Sequence, residues 1–135
     1  MGEFYEQVKE HRFDAIINNA AVGSDYFEPY SEPGKERLTL ETNVNATIKF
    51  TYKVLPLLKE HGRIINVSSI AGGLRHHEPS VIGKYSKEGL TEEDISKEVE
   101  EFLLNFEKKD LKGFSRSSYK TSKMLLNYWS RFILP

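Results

Sequence analysis

The chain has 135 residues, 19 basic against 20 acidic side chains for a net charge of −1, and 39% hydrophobic content. That is the length of one domain with room for a real core, and so even a balance excludes a general nucleic-acid coat or a polybasic membrane-surface protein, both of which need a basic excess. With no cysteine, disulfide frameworks, thiolate metal sites and cysteine nucleophiles are excluded as well. The N-terminal MGEFYEQVKEH has no apolar leader core, no run approaches the roughly 18 apolar residues of a membrane span, and position 6 is Glu rather than the Ser or Thr of a myristoylation signal. The expectation is a soluble cytoplasmic protein with no nucleic-acid or membrane partner.

In chain order, Phe4 to His11 reads as the end of a helix, and Phe13 to Ile17 is a short apolar run that predicts a buried strand closing at Asn18-Asn19. A polar stretch marked by Gly23, Ser24, Asp25, Pro29, Ser31, Pro33 and Gly34 predicts a loop. Leu38 to Leu58 then has helical spacing, with Pro56 near its end and Gly62 as its stop. Arg63 to Val67 repeats the strand pattern and closes at Ser68-Ser69. Strand, crossover helix and strand make a βαβ unit, which implies a parallel sheet and an α/β fold.

From Gly72 to Gly113 the composition changes to an amphipathic helical insertion. Thr91 can cap the amide of Asp94, Leu90 and Ile95 can staple across that cap, and Ile95, Val99, Phe102 and Phe106 keep one apolar stripe. Its charges, nine acids and six bases from Lys84 to Lys112, read as a solvated face. A last helix runs from about Ser117 to Leu134, with Leu125, Trp129 and Phe132 on one face and Tyr119 and Lys123 on another. His76-His77 has no third ligand at a suitable spacing, so exposed loop residues and no metal are expected. Ser69 lies in no G-x-S-x-G elbow, and the sequons at Asn45 and Asn66 fall in a predicted helix and strand.

Open α/β sheets bind ligands at the carboxyl ends of their strands, where Asn18-Asn19 and Ser68-Ser69 stand, although both pairs are also ordinary turn formers. Tyr119-x-x-x-Lys123 places a phenol and an ammonium on neighbouring turns of a helix, where the cation favours the phenolate and makes the Tyr a usable proton donor or acceptor. Spacing alone decides little, because Tyr5-x-x-x-Lys9 satisfies the same pattern.

The combination carries more. Asn18-Asn19-Ala20-Ala21 closing one strand, Asn43 in the crossover helix, Asn66-Val67-Ser68-Ser69 closing the next strand and Ser118-Tyr119-x-x-x-Lys123 opening a later helix follow in fixed order. Together they resemble the short-chain dehydrogenase/reductase family. Within it the chain is most similar to the carbonyl reductases, because Tyr119 follows Ser69 by 50 positions across a helical insertion beginning Leu90-Thr91-Glu92-Glu93. The resemblance implies that Tyr119 protonates the carbonyl oxygen while hydride arrives from a nicotinamide, and that Ser69 polarises that carbonyl. It implies that Lys123 binds the nicotinamide ribose and lowers the pKa of Tyr119, that Asn43 holds a water relaying protons toward Lys123, and that Asn19, Ala20 and Ala21 meet the cofactor through their backbone. Preoriented donors and a tuned acid are what such chemistry requires.

The chain also departs from the family. Ala21 and Ala46 stand where it usually has Gly, and family members are roughly twice as long. The glycine-rich turn that cradles the pyrophosphate should precede everything here, yet no G-x-x-x-G-x-G occurs, and the strand and Pro-Gly loop expected after the Tyr/Lys helix are not in the sequence. The reading is therefore a partial Rossmann-like parallel sheet with flanking helices, residues 1–135 forming the central part of one oxidoreductase domain with its insertion at about 72–113. In its full-length context it is an NADPH-dependent reductase of small ketones or aldehydes, with NADH as the other cofactor open, and monomeric because the insertion covers a helix pair used elsewhere for assembly. The chain by itself is expected to be inactive. The alternative is a truncated, non-enzymatic relative that serves as a binding or assembly partner.

Overall fold

The two apolar runs pair in parallel, β1 (Phe13–Asn18) beside β2 (Leu58–Asn66), with Ile16 opposite Ile64, Ile17 opposite Ile65 and Asn18 opposite Asn66. They belong to a computed structural model that describes residues 2–23 and 34–134. The expectations placed on Ser24, Asp25, Pro29, Ser31 and Pro33 lie outside the described residues.

The short helix α1 (Gly2–Val8) leads into β1. The crossover is one helical rod built in three pieces, α2 (Lys35–Leu40), a π-helical turn (Glu41–Ala46) and α3 (Thr47–Val54). Gly34 enters it at φ 91°, a left-handed conformation that costs glycine little. The rod differs from the predicted single helix of Leu38 to Leu58 at its end. Pro56 has no N–H to continue the i→i−4 ladder, so Leu55–Leu57 tightens to a 3₁₀ turn and Leu58 is already strand. The second strand correspondingly begins before the predicted Arg63. Leu58 pairs with Phe13 and Arg63 with Ala15, so Lys59 to Gly62 bulge out of the ladder, with His61 at φ 64°.

After two 3₁₀ turns (Ile70–Gly72 and Leu74–His76) come α4 (Pro79–Tyr85), α5 (Glu92–Glu107) and α6 (Ser118–Tyr128), the last running into a π turn at Trp129–Ile133. The predicted start of α5 is present as a full capping box. Thr91 Oγ1 accepts the Asp94 N–H at 3.2 Å, and Asp94 Oδ2 accepts the Thr91 N–H at 2.9 Å. Its stripe of Ile95, Val99 and Phe102 packs with Leu40, Val44 and Ile48 of the crossover rod and with Leu125 and Trp129 of α6 in the main core. One charge departs from the solvated face expected of the insertion: Glu98 is buried, where it accepts from Tyr85 Oη at 2.6 Å and pairs with Lys84. Burial, and then that hydrogen bond, push the Tyr85 phenol far above its usual range.

A second, smaller cluster joins Ile16, Val54 and Leu57 to Tyr5, Val8, Phe50 and Ile64, so α1 and α3 lie on the Ile16–Ile64 face of the sheet. Among the described residues the opposite face is bare, with Ile17, Ile65 and Val67 at 60%, 44% and 40% exposure. No helix among the described residues is long and apolar enough to cross a membrane.

Candidate active site

The carboxyl ends of both strands, the π turn of the crossover and the first half of α6 meet at one edge of the sheet. A polar network fixes the two strand ends. Asn18 Nδ2 donates to Asn66 Oδ1 at 2.7 Å and to Thr51 Oγ1 of α3 at 2.8 Å, while Asn66 Nδ2 donates to Ser130 Oγ at 2.7 Å. Thr51 and Ser130 return their own protons to the carbonyls of Thr47 and Leu126, so the chain of bonds runs from α3 through both strands into the rod of α6. These amides set where the following loops start.

Beyond β1 the chain passes through exposed Asn19, Ala20 and Ala21 to Val22 and Gly23. A shallow, mostly apolar depression of about 450 Å³ opens beside it, lined in part by Asn19, Ala20, Ala46 and Phe50. Val22 is held at both backbone groups by one side chain: Asn43 Oδ1 accepts its N–H at 2.9 Å and Asn43 Nδ2 donates to its C=O at 2.8 Å. The second Nδ2 proton of Asn43 goes to Ser122 Oγ at 3.0 Å. Asn43 stands in the π turn, a device that re-aims a side chain relative to the regular helix on either side. The loop is then pressed onto the candidate acid. A Cβ on Gly23 would come within 2.9 Å of Tyr119 Cδ2, so only glycine fits there without a shift of the ring.

Beyond β2, Ser68 faces α6, and Ser69 caps a 3₁₀ turn by accepting the Ala71 N–H at 3.1 Å on its hydroxyl oxygen. That turn reaches α6 through Gly72, where a Cβ would lie 2.8 Å from the carbonyl of Lys123 and 2.7 Å from Asn127 Nδ2. Asn127 Nδ2 donates to the Gly72 carbonyl at 3.1 Å. The close approach brings the segment that carries Ser69 against the helix that carries Tyr119.

Tyr119 lies in the first turn of α6, whose cap is Ser117, the hydroxyl accepting the Lys120 N–H at 3.2 Å. Lys123 Nζ sits 5.8 Å from the centroid of the Tyr119 ring and donates to the Val67 carbonyl at 3.0 Å. The face of α6 that it shares with Tyr119 is also covered at this point, Lys123 being only 2% exposed with its ammonium on the chain just after β2. Burial lowers its pKa from the usual lysine value. The control pair behaves otherwise: Lys9 turns to Glu6 at 2.7 Å, and the cation over the Tyr5 ring is Lys53, at 5.0 Å. Equal spacing therefore gives two different arrangements, and only the second Tyr/Lys pair stands at strand ends.

Sequence reasoning did not pick out Ser122, Gly23, Gly72, Thr51 or Ser130. A signal exists for some of them: Thr39, Asn43, Thr47 and Thr51 recur every fourth residue, the first three each beside an apolar position of the rod, Leu40, Val44 and Ile48. His77 corrects a second expectation. It is 8% exposed rather than out in a loop, accepts the Ser115 N–H on Nδ1 at 3.1 Å, and packs edge-on against Phe114. Burial, with the nearby charges of His76 and Lys120, lowers its pKa to about 4. Among the described residues no group of three or more His, Asp or Glu is placed to hold a metal ion.

A parallel α/β layer with a Tyr/Lys pair at the carboxyl ends of its strands defines a Rossmann-type oxidoreductase frame. The family described as short chain dehydrogenase matches residues 1–91. The chain belongs to that family. It is similar to carbonyl reductase (NADPH) 1 of Sus scrofa, 32% identical over 124 residues covering 87% of this chain and 42% of the pig protein. Carbonyl reductase (NADPH) 3 of Homo sapiens is 28% identical, with 89% of this chain and 45% of the human protein covered. Among solved structures, salutaridine reductase from Papaver somniferum superposes with a TM-score of 0.75 at 25% identity, over 96% of this chain and 57% of that one. Menthone neomenthol reductase from Mentha piperita shares the fold, with a TM-score of 0.74. The chain thus spans less than half the length of these curated relatives.

Room for the ribose-nicotinamide half of a dinucleotide exists along the exposed, small-residue strip from Asn19 to Ala21, beside the apolar depression, whereas the space next to Gly23 is taken by the Tyr119 ring and the Lys123 ammonium is turned to the Val67 carbonyl. A glycine-rich cradle for the pyrophosphate is not in this sequence.

Proposed function

We propose that residues 1–135 carry the catalytic part of an NADPH-dependent carbonyl reductase, which converts ketones or aldehydes to alcohols in a longer chain and does not turn over alone. The observation that supports this most is the convergence of Tyr119, Lys123 and both strand ends at one edge, with the Lys123 ammonium 5.8 Å from the Tyr119 ring centroid. The nicotinamide, when bound, supplies hydride. Tyr119 donates a proton to the carbonyl oxygen as negative charge develops there, and Ser69, whose hydroxyl oxygen already accepts from Ala71, directs its own proton to the same oxygen. Lys123 holds the ribose hydroxyls, Asn43 orders a water that passes protons toward Lys123, and Asn19, Ala20 and Ala21 offer backbone groups beside the apolar depression. NADPH rather than NADH follows the names of the pig and human relatives. Packing of α5 over the crossover rod and α6 favours a monomer.

One observation favours the second reading, a non-enzymatic assembly partner: the apolar sheet face at Ile17, Ile65 and Val67 has no helix on it among the described residues. A chimera separates the two. Residues 1–135 replace the matching stretch of the pig carbonyl reductase, and NADPH oxidation is followed with a quinone. Turnover supports the reductase reading. A folded chimera that binds NADPH without turnover contradicts it and favours the partner reading.

A further inference from the structure

We infer that Ser122 is a positioning residue that locks the proton donor to the loop after β1. Its hydroxyl donates to the Tyr119 carbonyl at 2.8 Å and accepts from Asn43 Nδ2 at 3.0 Å, in a fully buried setting. Asn43 in turn clamps both backbone groups of Val22, and the next residue, Gly23, lies so near the Tyr119 ring that a Cβ on it would come within 2.9 Å of Cδ2. The contacts close a ring: Tyr119 backbone, Ser122, Asn43, Val22, Gly23, Tyr119 side chain. A hydroxyl is the smallest group that can give a proton to a carbonyl and take one from an amide at the same point. Without it, one Asn43 N–H is left unpaired in a dry site, and the amide turns to recover a partner at the cost of its two-point hold on Val22.

The neighbouring residue supplies an internal comparison. Thr121 is as fully buried on the same helix, but its hydroxyl has no hydrogen-bond partner among the described residues. A buried hydroxyl that only fills space behaves like Thr121; one that orients the site does not.

The link from Ser122 to catalysis rests on the reading of Tyr119 as proton donor, whereas the coupling itself is read without any activity. Nuclear magnetic resonance on the chimera follows the exchange rate of the Val22 amide and the ring-current shift of the Gly23 α-protons. Ser122→Ala is expected to speed Val22 exchange about tenfold and to move the Gly23 resonances, while Thr121→Val changes neither. Unchanged Val22 and Gly23 signals in Ser122→Ala overturn the inference. So does an equal response in Thr121→Val, or unfolding of Ser122→Ala alone, either of which makes Ser122 a general packing residue. In the chimera, Ser122→Ala is expected to lower kcat about tenfold with KM for NADPH unchanged; a rise in KM alone contradicts it. Failure of the chimera to turn over would remove the reductase reading and leave the resonance result standing.

Discussion

Gly23 is the residue on which the geometry of Tyr119, the proposed proton donor, leans most directly. A Cβ there would sit 2.9 Å from Tyr119 Cδ2, closer than carbon atoms pack, so Gly23→Ala must displace the ring. In the chimera this substitution is expected to lower kcat by up to ~10²-fold while the melting temperature stays within a few degrees, since the loop lies at the surface and a small misplacement of a reacting group is costly. Unaltered kcat would show that the ring position is not critical. His77 gives a pH signature of a different kind. Burial holds its pKa at about 4, against 6.5 for an ordinary histidine, so the unfolded chain binds the extra proton between those values. Stability is therefore complete above about pH 7 and falls on acidification through that window, by at most about 3 kcal/mol. Melting curves from pH 7 to 4 check this, because His77→Phe should flatten that part of the slope. Neither burial was legible in the sequence. Lys123 and His77 are polar residues beside polar neighbours, and only the end of β2 and the turn back at Phe114 and Ser115 enclose them.

At the scale of elements, the strands and the start of α5 were legible because their signals are local. Phe13 to Ile17 and Arg63 to Val67 are apolar runs closed by polar pairs, and Thr91 with Asp94 is a cap written within four residues. Thr91→Ala should remove the half of the box made by the threonine hydroxyl, leaving the backbone N–H of residue 91 on Asp94, and cost about 1 kcal/mol, read as a lowered midpoint in urea with an unchanged slope. The end of the crossover helix was not legible, since Leu55, Leu57 and Leu58 continue its apolar spacing and only pairing with Phe13 draws Leu58 into the sheet. The π turn at Glu41–Ala46 was hidden for a similar reason. One residue of extra winding leaves no mark in composition, yet it stands where Asn43 reaches across to Val22. Candidate residues could be found by type and order, whereas the contacts that hold them, Ser122 and Gly72 among them, depend on which segments the fold brings together.

Over the whole molecule, the main core is buried between α5, α6 and the crossover rod, but among the described residues the sheet has two strands and one bare apolar face. Two parallel strands with open edges are marginal on their own and invite pairing with other chains. The isolated chain is accordingly expected to sediment as concentration-dependent oligomers, and Ile65→Lys, at the centre of the bare face, to reduce that association; a monomer at all concentrations would count against this. Calorimetric titration of the isolated chain should show no appreciable NADPH binding, because the backbone amides that grip a pyrophosphate are not in the sequence. Micromolar binding would require a cofactor site of another design. The proposed role of Tyr119 as proton donor of a reductase site is checked by Tyr119→Phe in the chimera. The expected result is a loss of turnover of ~10²–10⁴-fold with NADPH binding retained; turnover within a few-fold of the parent chimera would contradict it.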